Sequence, residues 1–127
     1  SHNEKYREDS YKYVKYSNKL IAPKKMFSEV NFSVAYDYGI SIQSGEFESR
    51  DDHACIPYRL TLAYAIAFCL AADALTISLV GLTGYETQDS RQKDLQDFFS
   101  LLRLKDVKVR SLTPTTFAIP EISIYGI

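Results

Sequence analysis

The sequence predicts an α/β domain, Rossmann-like and three-layered, with a mainly parallel sheet. Three observations predict it. An apolar run over residues 58–72 follows Pro57 and reads as a buried helix. The β-branched run Leu75-Thr-Ile-Ser-Leu-Val80 comes next and stops at Gly81. A helical stripe of Leu95, Phe98, Phe99 and Leu102 then leads into the alternation Val107-Lys-Val-Arg110. Helix, strand, loop, helix, strand is the order of a layered α/β domain. A length of 127 residues fits one such domain, residues 1–127, with one core.

Taken in chain order, residues 4–17 read as an amphipathic helix, with Tyr6, Tyr13 and Val14 on one side and Lys and Glu on the other. Lys19-Leu-Ile-Ala22 reads as a short strand stopped by Pro23. Residues 30–34 and 38–42 are β-like, and the polar, turn-rich stretch 43–54 reads as a surface loop. Pro57 is expected at the first helical position, and Asp73 ends that helix. Residues 75–80 are expected as a central strand covered on both faces. Residues 81–88 form the next loop. Asp89 is placed as an N-cap, with Gln92 completing a capping box. Residues 107–110 are a strand, 111–115 a loop, and 121–125 a final edge strand. The chain opens on a helix with no strand before it, which points to a piece of a longer protein.

Composition bounds the function. A formal net charge of -1 gives no global field to attract nucleic acid or an anionic membrane. Residues 1–25 carry seven Lys or Arg against three acids, the pattern of a solvated helix face. Cys55 and Cys69 are too few for a disulfide framework and read as reduced, pointing to the cytoplasm. The longest apolar run is too short for a bilayer, which needs ~20 residues. Ten tyrosines and seven phenylalanines without a Trp suit a core that reaches into half-wet clefts.

The candidate ligand site follows from the predicted topology. Right-handed crossovers put the loops after strands 75–80 and 107–110 on one edge, and open α/β sheets bind ligands beyond the carboxyl ends of their strands. In the first loop Gly81 and Gly84 let a ligand approach the backbone, and Thr83 lines the site between them. Tyr85 can stack on a base or sugar. The helix that starts at Asp89 aims its free N–H groups at the same space, and Arg91 adds a forked donor for phosphate or carboxylate. Ser111, Thr113 and Thr115 stand opposite with hydroxyls. This chemistry suits a small anionic ligand such as a nucleotide sugar or sugar phosphate. It is neither a GxGxxG fingerprint nor a P-loop, and a tight strand-to-helix turn with Asp89 as a mere cap fits the same residues.

No complete catalytic constellation is visible. His53, in Arg50-Asp51-Asp52-His53-Ala54-Cys55, lacks metal-ligand spacing and reads as a solvated loop residue. His2 lies at the terminus. Arg59 is expected to reach the surface along its stem. No cofactor is implied.

Several of these segments occur in one order: Ala63-Tyr-Ala-Ile-Ala67, Ile77-Ser-Leu-Val-Gly81-Leu-Thr-Gly84-Tyr85, Asp89-Ser-Arg91-Gln92-Lys93, Ser111-Leu-Thr-Pro-Thr115 and Ser123-Ile-Tyr125. In that order they resemble the C-terminal module of bacterial fusions with aldolases of the 4-hydroxy-2-oxovalerate aldolase and HMG-CoA-lyase-like class. Those fusions are associated with surface-polysaccharide synthesis. The module is also distantly similar to Rossmann-like domains of bacterial sialyltransferases and of hydroxymethylpterin-pyrophosphokinase-like proteins. The resemblance covers roughly residues 56–127. It implies that any aldol chemistry belongs to a separate aldolase barrel with its metal, and that this domain is an accessory, non-catalytic part of a lyase. Two departures stand out. Thr83 replaces the Asp of a Gly-Phe-Asp-Gly-Tyr pattern, and Asp73-Ala74 replaces Gly-Ala. A nucleotide-sugar-dependent transferase and a structural oligomerisation module are the alternatives.

Overall fold

A computed structural model describes residues 20–24, 34, 36–123 and 125. The expected helix over 4–17, most of the β-like run 30–34, His2 and part of the tail lie outside the described residues. The chain divides into two compact units at Ile40–Ser41.

In the first unit β1 (Ile21–Ala22) pairs in parallel with β2 (Tyr36–Asp37), Ile21 beside Tyr36 and Ala22 beside Asp37. Pro23 ends β1 as the sequence predicts. The Lys24 N–H donates to Asp37 Oδ1 at 2.7 Å.

The second unit corrects the expected loop over 43–54. The segment holds β4 (Glu48–Ser49) and β5 (His53–Ile56), an antiparallel pair with Glu48 opposite Cys55 and Ser49 opposite Ala54. With β3 (Gly39–Ile42) they form a sheet of order β3-β5-β4. The polar composition belongs to its turns. Gly45, at φ +75°, occupies a turn closed by the Glu46 N–H on the Gln43 carbonyl at 3.1 Å. Because β5 runs to Ile56, Pro57 ends a strand instead of opening a helix. The helix α1 (Thr61–Ala71) starts four residues later, after Leu60, which supplies no side-chain cap. Ala63, Ile66 and Ala67 are buried, whereas Ala65 and Cys69 are exposed. The helix is therefore not covered all round, and Cys69 is not the buried hydrophobe its neighbours suggested. The Ser49 hydroxyl donates to the Ala67 carbonyl and ties β4 to α1.

The helix α2 (Ser90–Leu104) forms where the stripe places it, and Leu95, Phe98, Phe99 and Leu102 are all buried. Phe98 meets Phe47 edge-on at 5.3 Å, and Phe99 meets Phe117 at 5.2 Å in the same manner. Edge-to-face packing is the favoured aromatic arrangement. These rings join the turn before β4, the helix, and the loop after the last strand.

The helices α1 and α2 end alike. The Ala74 N–H reaches the Cys69 carbonyl and the Asp73 N–H the Leu70 carbonyl; Val107 and Asp106 repeat this on Leu102 and Arg103. This is the Schellman arrangement, with Asp73 at φ 65° and Asp106 at φ 58° in the left-handed position that glycine usually takes. Asp73 and Asp106 thus make these turns without a glycine.

The three-layer, mainly parallel Rossmann-like sheet is not found. Strand β6 (Ile77–Leu79) pairs in parallel with β7 (Val109–Ser111), but among the described residues this ladder has two strands. The described strands fall into three small sheets, one of them containing an antiparallel pair. Residue alternation explains the failure. Ile77, Val109 and Ser111 are buried, while Thr76, Ser78 and Val80 are exposed and Arg110 is half-buried. A central strand covered on both faces would bury both sets. The tail contributes one bridge, Glu121 beside Ser111, in place of the expected strand over 121–125.

Candidate functional site

The two loops singled out by sequence do leave the carboxyl ends of adjacent parallel strands, and they meet. They meet by bonding to each other. The Gly81 N–H donates to Thr113 Oγ1 at 2.9 Å. The Leu112 N–H donates to the Leu79 carbonyl at 2.9 Å, extending the ladder into the loops. The Thr116 N–H and hydroxyl both donate to the Thr83 carbonyl, at 2.8 and 3.1 Å.

Gln92 closes the lace. Its Oε1 accepts from the Tyr85 N–H at 2.7 Å, and its Nε2 donates to Thr116 Oγ1 at 3.0 Å. The capping box expected of Gln92 does not form, because the Asp89 N–H goes to the Glu86 carbonyl. Gly84, at φ +123°, sits where a Cβ would overlap Thr116 Oγ1. Its lack of a side chain admits Thr116. Gly81, at φ +81°, has no atom within 4 Å of the Cβ position, so its turn conformation alone calls for glycine.

Asp89 is the N-cap, its Oδ1 accepting from the Arg91 N–H at 2.9 Å. The Arg91 guanidinium folds back on the same carboxylate, Nη2 to Oδ2 at 2.7 Å, and lies 4.3 Å over the Tyr85 ring. The hydrogen bond from Arg91 holds the Asp89 pKa down at about 2. The forked donor read as a ligand clamp is therefore engaged by Asp89, and an incoming anion must compete with that carboxylate.

On the second loop Ser111 is fully buried and its hydroxyl donates to the Thr113 carbonyl at 2.6 Å. Thr115 Oγ1 accepts from the Phe117 N–H at 3.3 Å, and the Thr115 N–H donates to Glu121 Oε1 at 3.1 Å. The Ser111 and Thr115 hydroxyls thus satisfy local backbone, the commoner task of hydroxyls beside a proline, while the Thr113 hydroxyl serves the Gly81 N–H of the other loop. The sequence offers Thr116 as one of four hydroxyls in residues 111–116 but does not give its pairing with Gln92. The signal was present as a fourth hydroxyl in the run and a Gln in the first turn, but their pairing spans 24 residues.

Within the histidine segment Arg50, Asp51 and Asp52 form an exposed turn, as expected, whereas His53, Ala54 and Cys55 lie on β5. His53 Nδ1 meets Asp52 Oδ1 at 2.8 Å, which lowers the Asp52 pKa. Cys55 is buried, with Sγ at 4.0 Å from Gln43 Oε1. Arg50 pairs with Glu48 at 3.0 Å, lowering the Glu48 pKa and raising its own. Among the described residues no three His, Cys, Asp or Glu side chains gather as a metal site, and no helix is long and apolar enough to cross a membrane. Arg59 is exposed. No protein family model, no curated protein and no solved structure matches this chain.

Proposed function

We propose that the chain is a non-catalytic accessory module of an aldolase-type protein and that it works through protein contact. The observation that carries the contact half is the side of the β6–β7 ribbon on which Thr76, Ser78 and Val80 are exposed and Arg110 Nε donates to Ser78 Oγ at 2.8 Å. The aldolase context rests on the ordered segments between Ala63 and Tyr125. The internal lacing of the two loops supports a structural role for them. A transferase would need a general base near the rim. Asp89, with a pKa of about 2, is a poor proton acceptor at neutral pH.

One feature favours a second function, the binding of a nucleotide sugar or sugar phosphate. Tyr85 and Arg91 are stacked at the start of α2, where an anion gains from the helix dipole. A ligand there would exchange the Asp89–Arg91 pair for its own contact.

Two assays test the proposal. The isolated chain, given 4-hydroxy-2-oxo acids and a divalent metal, is expected to show no cleavage, and turnover would overturn the non-catalytic half. Thermal shift against nucleotide sugars and sugar phosphates is expected to be flat. A rise in melting temperature that Arg91→Ala abolishes would establish the second function instead, since a ligand of the folded state stabilises by mass action.

A further inference from the structure

We infer that the exposed face of the β6–β7 ribbon docks an acidic amphipathic helix of another protein, whose carboxylates meet Arg110 and Lys108. This inference rests on the contact reading above and names the chemistry of the partner.

The strand register assembles the face. Ser78 lies beside Arg110, with Ile77 beside Val109 and Leu79 beside Ser111. Side chains alternate along each strand, so Thr76, Ser78 and Val80 share one face with Lys108 and Arg110, while Ile77, Val109 and Ser111 share the other. The second set is buried, and the first is exposed apart from the half-buried Arg110. Parallel strands ordinarily carry a cover on both faces, most often helices. This pair is covered on one.

Charge selects the missing cover. The charged side chains of the exposed face, Lys108 and Arg110, are both cations, and from Ala74 to Tyr85 there is no charged residue to balance them. Arg50 and Arg91 each bond a carboxylate of their own chain, Glu48 and Asp89. Arg110 instead donates through Nε to Ser78 Oγ at 2.8 Å. Among the described residues its two Nη groups and Lys108 Nζ have no hydrogen-bond or ion-pair partner. Ser78 thereby fixes the guanidinium and leaves its Nη groups as a free donor pair, the fork that a carboxylate fills with two bonds. A donor held in place beforehand loses less freedom when its partner arrives.

Spacing selects a helix to carry the carboxylates. Residues 108 and 110 stand about 6.6 Å apart along an extended strand. Acids at i and i+4 of a helix stand at nearly the same separation, ~5–6 Å between Cβ atoms. A helix laid over the ribbon meets both cations along one side and sets an apolar residue on Val80, which is 63 % exposed. Nucleic acid and anionic membrane suit the face less well. It offers no aromatic ring on which a base could stack. The chain's net charge of -1 gives no field to draw a polyanion.

A designed amphipathic peptide tests the docking, with a leucine stripe flanked by Glu at i, i+4 and a length of about 20 residues so that it is helical alone. Its binding to the whole chain is read by fluorescence anisotropy. The Glu peptide is expected to bind saturably and more weakly as salt rises. A Gln version should bind roughly ten-fold less tightly, as should the Glu peptide to Arg110→Gln. Lys108→Glu with Arg110→Glu should reverse the preference towards a Lys version. Ser78→Ala should weaken the Glu peptide several-fold and leave the Gln peptide unchanged, the mark of a positioning residue. Circular dichroism confirms that each variant is folded. A chain that does not distinguish the Glu peptide from the Gln peptide overturns the inference, as does a charge reversal that leaves the preference unaltered. Binding to single-stranded RNA or to phosphatidylserine–phosphatidylcholine vesicles, with none to the Glu peptide, overturns it too. The accessory-module proposal fails separately, on turnover of 4-hydroxy-2-oxo acids or on a nucleotide-sugar thermal shift.

Discussion

Thr116 stands where a side chain on residue 84 would have to be. Its hydroxyl donates to the Thr83 carbonyl at 3.1 Å and accepts from Gln92 Nε2 at 3.0 Å, and Gly84 passes beneath it at φ +123°. One threonine thereby fixes the distance between two loops that the sequence separates by more than thirty residues.

Gly84→Ala combines a disfavoured backbone conformation with an overlap on Thr116. It is expected to cost roughly 2 kcal/mol of stability. Urea unfolding measures this. Adding Thr116→Ala removes the overlap and leaves the backbone cost, so a double-mutant cycle should show partial recovery. Strict additivity would mean that the two residues do not touch.

Gln92→Ala leaves the half-buried Tyr85 N–H without its acceptor and Thr116 Oγ1 without its donor. The expected loss is about 1–2 kcal/mol. Gln92→Glu keeps the acceptor for Tyr85 but turns a carboxylate oxygen toward Thr116, and it should fall between wild type and Ala. The same unfolding series ranks the three.

Asp89 sets an acid limit. Its pKa lies at about 2 in the folded chain against an ordinary 3.8, chiefly through the hydrogen bond from Arg91. A depressed carboxylate stabilises the folded state above its ordinary pKa, and that contribution drains away as pH falls from 3.8 towards 2. Glu48 and Asp52 are lowered by Arg50 and His53 and act with the same sign. Unfolding midpoints should drop over this window. Asp89→Asn retains a capping oxygen and should give a shallower drop, whereas an identical slope would assign the acid sensitivity elsewhere.

Asp73 and Asp106 hold left-handed positions at the two helix ends. A carboxylate there also faces the negative end of the helix dipole. Asp73→Gly and Asp106→Gly should each stabilise the chain by roughly 0.5–1 kcal/mol, seen as a raised unfolding midpoint. Destabilisation by either would reveal a contact made by that carboxylate.

Much of the local structure was legible because its causes are local. The Leu95, Phe98, Phe99, Leu102 stripe located α2, Asp89 located its start, and the β-branched and alternating runs located β6 and β7 side by side. The hairpin β4–β5 was read as a loop because two-residue Glu48–Ser49 carries no alternation of its own. It is a strand only because β5 lies beside it. Pro57 misled for a related reason: a residue without an N–H ends a strand as readily as it opens a helix.

Sequence alone, then, determined where α2 lies, where the β6–β7 crossover leaves its two polar turns, and that Asp89 caps the helix between them. Only the tertiary structure decided what those turns do. Bonds such as Gly81 to Thr113 and Gln92 to Thr116 join residues 32 and 24 positions apart. A hydroxyl or amide carries the same donors and acceptors whether it meets a ligand or a neighbouring loop. Which one it meets depends on chain packing.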